Sequence, residues 1–252
     1  MSQIALHQVP QTIDSRTKGN ALYRTGGIAA LLAVVVALTD IALTFFPAGA
    51  GQPGTMTAVD WFGLFQSSWF FGLRNLGLLP NILSLILLIP LFFALYSAHR
   101  HVDQNNAMLA LGISLVGTAI YLSNNAAFPM LALSTKYAAA TTEVQRSLLA
   151  AAGEAILAHG EDFTPGVFIG LFLGEIAIMA MALVMLRNRM FSRATAYAGI
   201  LGSLFLSVFT IWTTFIAVFF ELAMLLALIG GLLSIAWYIL TARRLFQLAA
   251  AS

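Results

Sequence analysis

Apolar runs of about twenty residues recur along the chain, separated by polar turns and two longer connections. The runs cover Ile28–Phe46, Gly77–Tyr96, Ala107–Leu133, Gly166–Leu186, Ala194–Thr213 and Leu222–Tyr238. A spanning helix needs roughly 20 mostly apolar residues, so the pattern predicts six of them. The short alternating segments of an outer-membrane barrel are absent. The fold class predicted is all-α: a single six-helix transmembrane bundle over residues 1–252, preceded by a polar tail at 1–20. The first run follows a long polar stretch, contains Asp40 and exceeds the roughly 7–15 residues of a signal-peptide core. It is therefore read as a retained helix, although Ala48-Gly49-Ala50 resembles a cleavage site.

The two longer connections carry patterns of their own. In the first, Trp61, Phe62, Phe65, Trp69, Phe70 and Phe71 crowd a segment at about 59–71. Trp and Tyr side chains favour the headgroup level, having an apolar body and a polar handle, which predicts an interfacial anchor there or a lid over an outward pocket. In the second, Thr142 and Gln145 have capping-box spacing. Val144, Leu148, Leu149, Ala152, Ala155 and Ile156 follow at helical intervals. An amphipathic helix at about 142–158 is predicted to lie across the outer surface. Gly160 would terminate it, and Thr164-Pro165 would start the fourth span. Pro80 and Pro90 predict bends in the second span.

Composition supports this class. Hydrophobic residues make up 60% of the chain and charged residues 9%, with a mean hydropathy of +0.90; soluble domains carry about 25% charge. Charge placement predicts orientation. Arg16, Lys18, Arg24, Arg100, Arg187, Arg189, Arg193, Arg243 and Arg244 fall on one side, against Arg74, Lys136 and Arg146 on the other. By the positive-inside rule both termini are cytoplasmic. The sequence pI near 9.2 reflects these flanking cations, and with a net charge of +2 and no recognition motif, nucleic acid is not an expected partner. The chain has no cysteine, which removes disulfides and thiolate sites.

Ionisable groups at membrane depth are costly unless paired, protonated or facing water. Asp40, Glu175 and Glu221 are such groups, and Asn81, Asn124, Asn125, Thr210, Thr213 and Thr214 join them toward the predicted outer half. Two readings stand. The groups line an outward polar pocket, with Asp40, Asn81, Asn124, Asn125 and Glu175 as ligand-binding residues and Arg74 as a cationic partner. Alternatively they make interhelical hydrogen bonds worth about 0.6 kcal/mol each. No catalytic residue, metal site or cofactor is predicted. His99 and His101 lack a clear third ligand, no intramembrane histidine is available for haem, and hydrolase and phosphate-loop motifs are missing.

Several stretches carry a family resemblance. They include Tyr23-Arg24-Thr25-Gly26-Gly27, Ala132-Leu133-Ser134-Thr135-Lys136-Tyr137, Thr142-Glu143-Val144-Gln145-Arg146 and Ala151-Ala152-Gly153-Glu154-Ala155. Phe191-Ser192-Arg193-Ala194-Thr195-Ala196-Tyr197-Ala198-Gly199, Trp237-Tyr238 and Ala242-Arg243-Arg244-Leu245-Phe246 complete the set. The chain resembles the bacterial integral membrane family known as domain of unknown function 4386. The resemblance implies a six-helix bundle in a bacterial or archaeal cytoplasmic membrane and supplies no catalytic residues. The expected function is binding, with transport as an extension, of a small amphipathic or cationic ligand or a membrane lipid. An accessory subunit with partner membrane proteins is the alternative, and a lipid-modifying enzyme using Asp40 and Glu175 a further one.

Overall fold

The computed structural model describes residues 11–44, 56–216 and 218–251, with side chains at 20–43, 56–216 and 218–251. His7, the Arg16 and Lys18 side chains, Ala48-Gly49-Ala50 and the start of the first connection lie outside the described residues. Among the described residues ten α-helices follow in order: α1 (Gln11–Thr44), α2 (Ala58–Ser67), α3 (Trp69–Asn75), α4 (Ser84–His99), α5 (Gln104–Asn124), α6 (Ala127–Ala139), α7 (Glu143–Gly160), α8 (Pro165–Asn188), α9 (Arg193–Phe215) and α10 (Phe220–Ala251). A π-helical segment, Leu78–Leu83, leads into α4. No strand occurs among the described residues.

Among the described residues six spans are long and apolar enough to cross a bilayer, carried by α1, the π segment with α4, α5, α8, α9 and α10. They close into a ring: α1 packs on α4, α4 on α5, α5 on α8, α8 on α9, α9 on α10, and α10 returns to α1. Small residues set the close approaches. Gly170 and Gly174 of α8 meet Gly117 of α5, where a Cβ would lie 2.9 Å from the Gly170 carbonyl oxygen. Gly26 of α1 is pressed against Ala94 of α4, and Gly27 against the Phe246 ring of α10. This small-residue packing substitutes in lipid for the hydrophobic drive available in water. The ring's outer surface remains apolar, with Leu31, Val35 and Leu38 of α1 and Leu225, Leu228 and Leu232 of α10 all exposed. Such a belt suits hydrocarbon rather than water.

One side of the bundle carries α2, α3, α6 and α7, here called the cap. The opposite side holds the turns with Arg100, Arg187, Arg189 and Arg193. The aromatic segment departs from the interfacial-anchor expectation. Trp61, Phe62 and Phe65 are buried inside the protein, with Phe62 5.0 Å from Tyr137 of α6 and packed near Gly153 of α7. Thr57 and Asp60 form a reciprocal capping box, and Glu154 accepts the Ala58 N–H at 2.6 Å. These caps fix α2 as a folded helix whose rings reach protein neighbours before lipid. Trp69, at 61% exposure, is the ring that fits the anchor reading.

Two further expectations change. The third span ends at Asn124, short of the predicted Leu133, because Asn125 is extended and its Oδ1 accepts the Ala127 N–H at 2.9 Å. The expected apolar face of α7 also shifts. Gly153, Leu157 and Gly160 are buried, while Val144 and Leu148 are exposed, because glycines admit the neighbouring chain more closely than branched side chains do. Thr142 caps α7 through the Gln145 N–H at 3.2 Å, but Gln145 Oε1 returns to Thr141 rather than Thr142. Thr164-Pro165 starts α8 as predicted.

Candidate functional site

Three interruptions of helical backbone meet where the bundle joins the cap. The first surrounds Gly77, whose φ of 90° is left-handed, where glycine is favoured. A Cβ here would lie 2.6 Å from Tyr121 Oη and 3.0 Å from Asp162 Oδ2, so the space is taken as well. Pro80 has no N–H to donate, and both Asn81 and Ile82 donate to the Gly77 carbonyl, at 3.1 and 2.9 Å. The bend predicted at Pro80 is therefore a π turn, a geometry frequent at functional sites.

The second interruption is Asn125–Ala126, between α5 and α6. Asn125 is buried, and its Nδ2 donates to the Leu76 carbonyl at 3.0 Å and to Tyr121 Oη at 2.9 Å. The third is the turn at 161–164 between α7 and α8, where Phe163 has a φ of 71° and Thr164 Oγ1 donates to the Glu161 carbonyl at 2.6 Å. Gly160 allows the second and third interruptions to touch: the Ala126 N–H donates to its carbonyl at 2.8 Å.

Asp162 gathers the three. Its Oδ1 accepts from Tyr121 Oη at 2.8 Å, and its Oδ2 accepts from Asn81 Nδ2 at 3.0 Å. Tyr121 therefore accepts from Asn125 and passes a hydrogen bond to the carboxyl. Asp40 of α1 lies within electrostatic range of Asp162. Arg74 Nε donates to Asp40 Oδ1 at 2.8 Å, its Nη2 to the Asp40 carbonyl at 2.9 Å and its Nη1 to Asn75 Oδ1 at 3.0 Å. The ion-paired side chains retain 15% and 21% exposure.

Of the six candidate residues from the sequence, Asp40, Arg74, Asn81 and Asn125 come together here. Asn124 does not join them: its Nδ2 donates to the Gly166 carbonyl at 2.7 Å and ties α5 to the first turn of α8. Glu175 lies ten residues along α8 from Pro165, roughly 15 Å deeper by helical rise, and shares no hydrogen bond with Asp40. Thr210 and Thr213 donate to carbonyls of their own helix. Asp162, Tyr121 and Gly77 were not candidates. Their signal was a helix breaker beside a polar residue near the ends of successive spans.

The two neighbouring histidines do not converge. His99 Nδ1 lies 2.8 Å from the Leu95 carbonyl and its ring stacks on Phe191, while His101 accepts from Arg100. Among the described residues no group of three or more His, Asp or Glu side chains could hold a metal. An apolar groove of about 630 Å³ runs along α5 past Met108, Gly112 and Val116, apart from the polar network.

A ring of six apolar helices around interrupted, polar segments defines a multi-pass α-helical membrane protein. The chain matches the family described as Domain of unknown function (DUF4386) over residues 67–241, and it belongs to that family. Comparisons with curated proteins and with solved structures returned no match.

Proposed function

We propose that the protein binds a small cationic or amphipathic ligand, a membrane lipid included, where the three helix interruptions meet. In this reading the cap faces outward from a bacterial or archaeal cytoplasmic membrane, and the arginine-rich turns face the cytoplasm. The observation that carries it is the charge balance at the junction. Two carboxyl groups, Asp40 and Asp162, stand in electrostatic range with Arg74 paired to one of them. Asp162 takes its hydrogen bonds from the neutral donors Tyr121 and Asn81. Among the described residues no Lys, Arg or His forms an ion pair with it. A cation entering here meets an acceptor-rich site of net negative charge, and the π turn and flanking turns supply backbone that can re-pair as the site opens. That capacity makes transport the natural extension.

The test uses the full chain in lipid nanodiscs and thermal-shift titrations with ethanolamine, choline and tetramethylammonium, repeated in phosphatidylethanolamine and phosphatidylglycerol discs. Stabilisation by at least one amine or by the amine-headed lipid is expected, and Asp162→Asn should abolish it. Equal responses of the wild type and Asp162→Asn to every probe would overturn the assignment. An accessory role is favoured by one separate observation: Val144 and Leu148, one turn apart on α7, are 69% and 65% exposed. A stoichiometric membrane partner that Leu148→Glu releases would support that second reading.

A further inference from the structure

Glu175 belongs to a different place in the ring. α8 and α9 run antiparallel, with Gly199 of α9 packed against Ala182 of α8 and Trp237 of α10. Counting back from that contact at about 1.5 Å per residue brings Ser207 to the depth of Glu175. Glu175 and Ala182 are close to two helical turns apart, so they project from the same side of α8, toward α9 and α10. Tyr238 follows Trp237 and so lies roughly 10 Å farther from the cap than Glu175, within electrostatic range of its carboxyl.

Polar atoms at this depth are buried without hydrogen-bond partners: Glu175 Oε2 and Ser207 Oγ, and farther from the cap Trp237 Nε1 and Thr241 Oγ1. Their helices, α8, α9 and α10, share the stretch of the ring beside α1. Buried polar groups are nearly always satisfied, and buried water commonly supplies the partner that protein atoms do not. An ionised carboxylate at mid-membrane costs several kcal/mol unless a cation accompanies it. Among the described residues, no Lys, Arg or His forms an ion pair with Glu175.

The other titratable groups on the surrounding helices stand toward the two ends of the ring. Tyr96 and His99 of α4, Arg193 and Tyr197 of α9, Tyr23 and Arg24 of α1, and Arg243 and Arg244 of α10 lie toward the arginine-rich side. Tyr121 of α5, Asp40 of α1, Glu221 of α10, His159 of α7 and the Asp162 turn lie toward the cap.

We propose that Glu175, level with Ser207, is an intramembrane proton-binding site, its carboxylate reversibly taking a proton delivered through water held among α8, α9 and α10. The protonated acid gains an O–H donor while its carbonyl oxygen remains an acceptor, so it can pair with hydroxyls and water that carry no charge. The site stands apart from the junction at Asp162 and does not depend on a ligand there.

The experiment is infrared difference spectroscopy of the full chain in lipid nanodiscs as pH is stepped at constant sodium. A protonated-carboxyl stretching band that rises and falls with pH is expected in the wild type. Glu175→Gln should lose it and Asp162→Asn should keep it. Glu175→Asp keeps a carboxyl in a shorter side chain and guards against misfolding of the amide variant; its band should shift in frequency. The inference fails if Glu175→Gln retains the wild-type difference spectrum, or if the band is unmoved in Glu175→Asp. It also fails if the band follows sodium at fixed pH, which would make the site one for a metal cation.

Discussion

Gly160 offers a sharp test of the junction, because what surrounds it is backbone. A methyl group there would clash with the Asn124 carbonyl oxygen and would lie 2.8 Å from the Ala126 nitrogen and 3.2 Å from the Asn125 carbonyl carbon. None of these atoms can swing aside as a side chain would. Asn125 is pinned by its bonds to Leu76, Tyr121 and Ala127. Overpacking a well-packed site costs about 1–3 kcal/mol. Pushing the Ala126 N–H off the Gly160 carbonyl would leave a buried donor unmet, at about 1–3 kcal/mol. Against this, replacing a helical glycine by alanine gains roughly 0.5–1 kcal/mol. Gly160→Ala should therefore destabilise the protein by about 1–5.5 kcal/mol.

The control is Gly112→Ala in α5, where a methyl group meets nothing within 4 Å; it should be neutral or slightly stabilising. Both variants would be unfolded reversibly from mixed micelles with increasing dodecyl sulfate, followed by tryptophan fluorescence. Equal midpoints for the two, within about 0.5 kcal/mol on conversion, would show that the contact of α7 with the α5–α6 interruption is not as tight as described.

Three further outcomes are expected. Tyr121→Phe removes the hydroxyl that accepts from Asn125 and donates to Asp162, and should cost about 1–3 kcal/mol in the same titration; no measurable loss would mean the network does not hold the junction. Trp61→Ala empties a fully buried site and should cost about 3–5 kcal/mol, whereas Trp69→Ala at the exposed position should change stability by about 0.5 kcal/mol or less; the reverse order would restore the interfacial-anchor reading for α2. Because the chain has no cysteine, Ser147→Cys on α7 and Ser192→Cys beside the Arg187–Arg193 turn report topology directly. A membrane-impermeant thiol reagent applied to intact cells should label the first and spare the second, and the opposite pattern would invert the assigned orientation.

The spans were legible because each needs only a long apolar run, and their starts at Thr164-Pro165 and Ser192-Arg193 carry ordinary capping residues. What escaped depends on partners distant in sequence. Asp162 reads as loop polarity beside Pro165, and only the fold sets it against Asn81, 81 positions earlier. Pro80 announces a bend but not that Gly77 would receive two amides. The aromatic run misled because its composition suits a headgroup layer equally well. Thr57 and Asp60, three residues apart, were the signal that it begins a capped helix. On α8, Gly166, Gly170 and Gly174 recur every fourth residue, a spacing that by itself marks a close helix contact. Glu175 stood out by its place in the fourth apolar run, but that place does not tell which neighbouring helix its carboxyl meets.

The closed ring also bears on how the protein is made. α1 and α10 are neighbours through Gly27 and Phe246, although every other helix lies between them in the chain. At roughly 5–20 residues per second, the ribosome needs on the order of 10–40 s to supply the intervening chain. During that interval α1 has α4 on one flank and only lipid, or a helper protein, on the other. The bundle thus cannot be finished piece by piece: α1 waits for α10 to lock it, and a nascent chain stalled before α10 leaves the small-residue face of α1 open for surveillance proteases to find.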